Sequence, residues 1–242
     1  MYENNKIAIA ILIELENRQN IASALLARYG SDYLFIRRIF KEIASKNCKI
    51  SISSISDSNL EFIDNQFKQD KIFSTTLQNI NINQQIIYLT STKVGYEACL
   101  TMARFTQVFL NVNGLAANVE SAEVSYGVDR WFANYNSNDV FDIYSLYVGL
   151  VEGENNYYSC GMHNFGKADV SIDITEDINL AIYVMNVFNY YRLTKSPILQ
   201  DGHTFQPDIE SPRYQIKLVE DKEYEINSLQ HNHLGRWHLS RN

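Results

Sequence analysis

The side chains in this 242-residue sequence that suit acid–base, nucleophilic or metal chemistry are five histidines, three cysteines and a few paired carboxylates. His231, His233 and His238 form the one histidine cluster. A strand would set His231 and His233 on one face, at a spacing that suits metal ligands. No cysteine and no close carboxylate pair completes a site, so no metal is expected and the histidines read as solvent-facing groups of a C-terminal strand or tail. Cys48, Cys99 and Cys160 are far apart and form no CxxC pair. They are expected as reduced, mostly buried thiols. Glu120/Glu123 and Asp139/Asp142 are paired carboxylates, but a glycosidase pair needs a defined separation across a cleft. The sequence holds no G-x-S-x-G elbow, no H-E-x-x-H and no kinase signature.

No catalytic residue and no cofactor is therefore assigned, and the reading leans away from an enzyme. The enzyme alternative is one without a linear motif, using His163 and His203 with a nearby carboxylate as acid and base. Gly161 to Gly166, with His163 and Lys167, is a candidate ligand loop, because glycines let backbone N–H groups approach an anion. It is no P-loop and does not open a strong helix. A tight turn that aims Phe165 into the core is the favoured reading.

Charge is unevenly placed. The net charge is −7. Residues 1–119 carry 12 basic and 10 acidic side chains, residues 120–177 carry 2 and 11, and residues 178–242 carry 7 of each. The negative charge thus sits in the middle quarter. That argues against nucleic acid or an anionic membrane as a partner there, and favours a basic partner or a solvated face. Tyr126, Trp131, Phe132 and Tyr135 lie inside the acidic block, and aromatics among charges are what binding hot spots look like. An amphipathic core helix has the same look.

The elements that must position these groups follow from periodicity. Lys6–Leu15 is a continuous apolar run, expected as a central strand. It is too short to span a bilayer, and no export signal frames it, so a cytoplasmic protein is expected. Helices are expected at Asn20–Tyr29, Asp32–Lys46, Asp57–Lys68 and Tyr96–Leu110, and strands at Lys49–Ile55, Gln85–Thr90 and Leu115–Glu120. The order matches a ferredoxin-like split βαβ layout. Beyond it come a short helix near Tyr126–Tyr135, a strand at Phe141–Val151 and short strands at Tyr157–Cys160 and Asp169–Ile174. A helix starting at Thr175–Asp177 follows, then a proline-bearing loop at 197–212. A hairpin of Tyr214–Val219 with Tyr224–Ile226 is expected next. The fold class is thus α+β: residues 1–120 form a βαβ–βαβ half and residues 121–242 a second mixed half with a long helix and a C-terminal hairpin, in one compact unit.

The stretch from Tyr157 to Val170, Tyr-Tyr-Ser-Cys-Gly-Met-His-Asn-Phe-Gly-Lys-Ala-Asp-Val, resembles a bacterial family catalogued as a domain of unknown function. Its signature is T-x-G-M-x-x-F-G-K-x-E/D, here Ser159 to Asp169. Val119-Glu120-Ser121-Ala122 with Trp131, and Asp201-Gly202-His203-Thr204, resemble two further elements of that family. The resemblance runs from about residue 94 to 219. This chain has Asp169 where the family commonly has Glu and His203 where it commonly has an acid, which weakens any shared acidic metal ligand. The resemblance implies no catalytic residue. Some relatives lie in toxin and immunity gene neighbourhoods.

The expectation is therefore an immunity-type protein that occludes a cognate toxin with a basic cleft. Glu120, Glu123, Asp129, Trp131, Asp139, Asp142, Glu152 and Glu154 are the expected partner-binding residues. A regulatory domain binding a small ligand at the Gly161–Gly166 loop is a further alternative.

Overall fold

The computed structural model describes residues 7–14, 18–29, 48–54, 85–137 and 139–241. The helices expected at Asp32–Lys46 and Asp57–Lys68 lie outside the described residues.

β1 (Ile7–Ile13) is buried along its whole length. It pairs on one side with β3 (Gln85–Ser91) and on the other with β4 (Gly114–Val119). Ile11 faces Ile87 across one ladder and Ala117 across the other. A strand flanked on both edges and covered on both faces needs an unbroken apolar run, which is what Ile7–Ile13 supplies. β2 (Cys48–Ser54) pairs with β3, and β5 (Val124–Gly127) closes a hairpin with β4. The sheet order is β2-β3-β1-β4-β5, antiparallel throughout. β1 and β2 run in the same direction with β3 between them, and β3 and β4 do the same around β1. This is the split βαβ arrangement, extended by β5.

α1 (Arg18–Tyr29) follows β1, and its Leu25 enters the core. α2 (Tyr96–Leu110) crosses the sheet with Cys99, Met102, Ala103, Thr106, Phe109 and Leu110 buried, a three-and-four spacing that defines one face. α3 (Val128–Asn136) and α4 (Val140–Tyr147) pack on the same core. Tyr126 stands on β5, before α3 begins.

Two expectations change here. Phe141–Val151 divides into α4 and β6 (Gly149–Glu152) instead of forming one strand. Asp139 caps α4 by accepting a hydrogen bond from Phe141 N at 2.7 Å, and Ile143, Tyr144, Leu146 and Tyr147 then fall on its buried side. The second change is the point of transition between halves. β5, α3 and α4 belong with the first sheet, so the second sheet begins at Gly149 and not after residue 120.

β6 forms a hairpin with β7 (Asn156–Cys160), which pairs with β8 (Asp169–Asp173). α5 (Ile178–Lys195) follows, then β9 (Thr204–Phe205), β10 (Tyr214–Val219) and β11 (Arg236–Arg241). The second sheet runs β6-β7-β8-β11-β10-β9, and only β8 and β11 pair in parallel. The C-terminal hairpin is present, but β10 pairs with β11, not with Tyr224–Ile226. Residues 220–235 instead form a long strap between the two strands. Asp177 caps α5 through Asn179 N and Leu180 N, both at 3.0 Å. Ala181, Val184, Met185 and Phe188 of α5 pack with Val170, Ile172, Tyr214, Ile216 and Leu239 in a second core.

Candidate functional site

Three segments far apart in sequence meet at one end of the second sheet. They are the β4–β5 turn, the β6–β7 hairpin and the strap. Gln230 Nε2 donates to Glu120 O at 2.9 Å and Tyr224 OH donates to Glu123 Oε2 at 3.3 Å. Asn156 Nδ2 donates to Glu223 Oε1 at 3.4 Å, and the Tyr158 and Tyr224 rings meet edge to face at 6.1 Å. Glu123 and Glu223 are exposed there, with Glu220 and Glu225 on the same strap; Glu152 and Glu154 are exposed on the β6–β7 hairpin, where Glu152 pairs with Tyr157. Lys222 is the single lysine or arginine within residues 220–235. Burial holds the Glu120 carboxyl above its ordinary range, so it is a less accessible member of the group. Glu123 adopts φ 53°, a left-handed conformation at the tip of the β4–β5 turn.

The other expected contact residues sit elsewhere. Asp129 lies in the first turn of α3, and Asp139 and Asp142 are the cap and first turn of α4, where carboxylates suit the helix N-terminus. Trp131 is fully buried. Its Nε1 donates to Ala103 O at 3.3 Å, and its ring meets Tyr126 and Tyr147 edge to face at 6.1 and 6.5 Å. It joins α3 to α2, and its reading as a surface contact is corrected.

Beneath the strap lies a buried polar network that sequence reasoning missed. Asp169 accepts from Ser159 Oγ (2.8 Å), Met162 N (3.1 Å) and Asn232 Nδ2 (2.5 Å). Burial raises the Asp169 pKa, against the pull of His163 and of these hydrogen bonds. Asn232 Nδ2 also donates to Lys167 O at 3.0 Å, which ties the strap to the turn before β8. Asp221 accepts from Asn232 N (2.9 Å) and Glu223 N (3.1 Å) and is paired with Arg236. Arg236 also reaches Glu223 at 3.4 Å and lies 4.2 Å from the centre of the Tyr158 ring. Nothing local in the sequence announces this network. Its members come from residues 159 to 236; Ser159, Met162, Lys167 and Asp169 lay within the singled-out Tyr157–Val170 stretch, while Asp221, Glu223, Asn232 and Arg236 did not.

The segment Gly161–Gly166 is a 3-10 turn at Met162–Phe165, flanked by Gly161 and Gly166 at positive φ. A Cβ on Gly161 would lie 2.1 Å from Tyr147 O, so only glycine fits. Its N–H groups are used internally: Asn164 N to Gly161 O, Gly166 N to His163 O, Lys167 N to Met162 O. Met162 N is held by Asp169. None of these four is left to cradle an anion. Phe165 is buried and meets Tyr147 edge to face at 6.0 Å. The turn also anchors α2, since Asn164 O accepts from Gly95 N (2.8 Å) and Cys99 Sγ (3.3 Å).

His163 is buried in that turn, and neither ring nitrogen has a partner in hydrogen-bonding geometry among the described residues. Burial lowers its pKa; Asp169, the Leu229 backbone and Asp221 pull the other way, and His233 adds to the lowering. His203 is exposed and lines a different space, a groove of about 760 Å³ beside Phe188, Tyr191 and Phe205. The two histidines do not converge, so the acid–base pairing of His163 with His203 is not formed.

His231, within the strap, has Nδ1 3.7 Å from Asp221 Oδ2 and lines an open cleft of about 550 Å³. Asp221 is already engaged by Arg236 and by the N–H groups of Glu223 and Asn232. His233 is exposed, and His238 sits between Ser171 Oγ (3.2 Å) and Asp173 Oδ1 (3.6 Å) on β11. Among the described residues no three His, Cys, Asp or Glu side chains are grouped to hold a metal. Cys99 and Cys160 are buried free thiols whose pKa values burial pushes up, which keeps them protonated and unreactive. Among the described residues no helix is long and apolar enough to cross a membrane.

No protein-family model matches this chain, and neither the curated proteins nor the solved structures hold a match to it. The site is therefore read from its own geometry.

Proposed function

We propose that this chain is a protein-binding module of the immunity type, which receives a basic surface of a partner protein on its acidic end and occludes it. The observation that carries this reading is the tying of exposed carboxylates from two distant segments into one hydrogen-bonded surface, Glu123 by Tyr224 OH and Glu223 by Asn156 Nδ2, with Glu152 and Glu154 exposed on the adjoining β6–β7 hairpin. A patch of one sign steers an oppositely charged partner and speeds encounter. Two open clefts, of about 550 and 490 Å³, share Val219 and Glu220 at this end. In the immunity form of the reading, the partner is a toxin domain whose basic cleft is blocked in a cytoplasmic complex.

The test is affinity capture from host-cell lysate with the tagged protein and, in parallel, its E123K/E152K/E154K variant. A stoichiometric basic partner held by the former and lost by the latter supports the proposal. A partner held equally by both would sink the acidic-end reading, and a captured acidic partner would do the same.

A further inference from the structure

The two faces of the second sheet differ in chemistry. Tyr157, Val170, Ile172, Tyr214, Ile216 and Leu239 pack on the α5 side. Side chains alternate along a strand, so Asn156, Ser171, Asp173 and His238 stand on the opposite face. The parallel pairing of β8 with β11 sets His238 beside Ser171, and β7 sets Asn156 beside Asp173. His238 Nδ1 is 3.2 Å from Ser171 Oγ, and His238 Nε2 is 3.6 Å from Asp173 Oδ1. Hydroxyl, imidazole and carboxylate thus follow one another as they do in an activated-serine triad, which is recognised by geometry and roles and not by spacing in sequence.

The carboxylate on the Nε2 side favours the tautomer with its proton there. The Nδ1 lone pair is then free to accept from the Ser171 hydroxyl. The ring is turned end for end relative to the common arrangement, but each role needs only one ring nitrogen. Ser171 is nearly buried and opens onto a space: with His238, Asn156, Glu220 and Lys222 it lines an open cleft of about 490 Å³. Among the described residues lining that cleft, Val219 alone is apolar, which suits a small polar acyl group and not a long hydrocarbon chain. β8 lies between two paired strands, so its N–H groups are largely committed to the ladders. A developing oxyanion must therefore be met by side chains. Asn156 and Lys222 bring donors to the same cleft. Asn156 Nδ2 is held by Glu223 only at 3.4 Å, a long hydrogen bond that is readily given up.

We propose that Ser171, His238 and Asp173 form a nucleophilic site that hydrolyses small, polar carboxylic esters. Ser171 Oγ attacks the carbonyl carbon as its proton passes to His238 Nδ1. The bond from that carbon to the alcohol oxygen breaks, and the alcohol leaves with the proton. Water then gives a proton to Nδ1 and attacks the acyl-serine. Ser171 Oγ recovers that proton as the carboxylic acid departs. Asp173 orients the imidazole through Nε2 and is a positioning residue. The site needs no partner protein, so the proposal does not rest on the basic-partner reading.

The test treats the whole chain with a short-chain alkyl fluorophosphonate, which bonds an activated serine through phosphorus and expels fluoride. Mass spectrometry of its peptides locates the adduct, and turnover of p-nitrophenyl acetate is followed in parallel. The expected result is one adduct, on Ser171. S171A takes none and loses turnover, and H238Q slows both reactions by about a hundredfold or more. D173N lowers kcat about tenfold at unchanged KM, less than loss of a buried aspartate would, because more than half of this side chain is exposed to water. D173E recovers part of that loss. Wild-type protein that takes no adduct on Ser171 overturns the proposal whatever the variants do. Turnover that survives S171A, or labelling of H238Q at the wild-type rate, overturns it as well.

Discussion

Under the first sheet, β1 is walled by Ile, Ala and Leu, and the buried polar side chains around it, such as Thr106, Asn118 and Ser125, are uncharged. Around the second sheet, Asp169, Arg192, Asp221 and Arg236 are all buried, together with His163, His231 and Asn232. Among the described residues, every buried aspartate, arginine and histidine lies between positions 163 and 236. The first region is held by dry packing, where shape decides. The second is held by charges whose burial is tolerable only because each has partners. Arg192 illustrates the cost: its Nη1 donates to Ala168 O at 2.7 Å, yet burial still lowers its pKa to about 10.

The largest effects should come from cutting one member out of each kind of core. Trp131→Ala removes the side chain joining α2, α3 and Tyr147 and should cost about 3–5 kcal/mol in chemical denaturation. Asp221→Ala takes from the buried Arg236 guanidinium its closer carboxylate, leaving only the partly exposed Glu223, and should cost a similar roughly 3–5 kcal/mol. The two differ in rescue. A second change, Arg236→Met, should recover much of the loss in the Asp221→Ala background and none in the Trp131→Ala background. Recovery in both, or in neither, would erase the distinction between the regions.

A smaller effect separates them by pH. His163 has a folded-state pKa below its unfolded value, so the unfolded chain takes up its proton first. Its contribution is intact above the unfolded value, near 6.5, and stability falls as pH drops below that. Asp169 works in the opposite sense. Its folded-state pKa is raised, so its ionised form carries a cost that is relieved as pH falls through the folded value towards 3.8. Denaturant titrations between pH 7.5 and 5 (roughly one unit either side of an ordinary histidine pKa) should show a loss in the wild type that His163→Gln flattens. An unchanged slope in that variant would remove His163 from the account. The smallest effect is at the surface: E123K, E152K and E154K should each change stability by no more than about 0.5 kcal/mol, while altering partner association.

The same contrast explains what could be read from sequence. β1 and α2 were legible because an unbroken apolar run and a three-and-four periodicity are local signals. Tyr96–Leu110 appears with the expected bounds, and the split βαβ order followed from the alternation of such signals. Phe141–Val151 was misleading because its β-branched and aromatic residues favour a strand, while the Asp139 cap and the packing of Ile143, Tyr144 and Tyr147 favour a helix. The network of Asp169, Asn232, Asp221 and Arg236 left no local trace, since each pairing joins residues on different elements. The acidic block was visible as composition. Its division into an exposed end at Glu123, Glu152 and Glu154 and helix-start carboxylates at Asp129, Asp139 and Asp142 was not, because that depends on which segments meet in space.

The most direct test of the acidic end as a docking surface is the association rate of the captured partner as a function of ionic strength, for wild type and for E123K/E152K/E154K. The account predicts a wild-type rate that falls steeply between low and physiological salt, and a variant rate that is slow and nearly flat, with the two converging at high salt. Equal rates with equal salt dependence in the two proteins would contradict it.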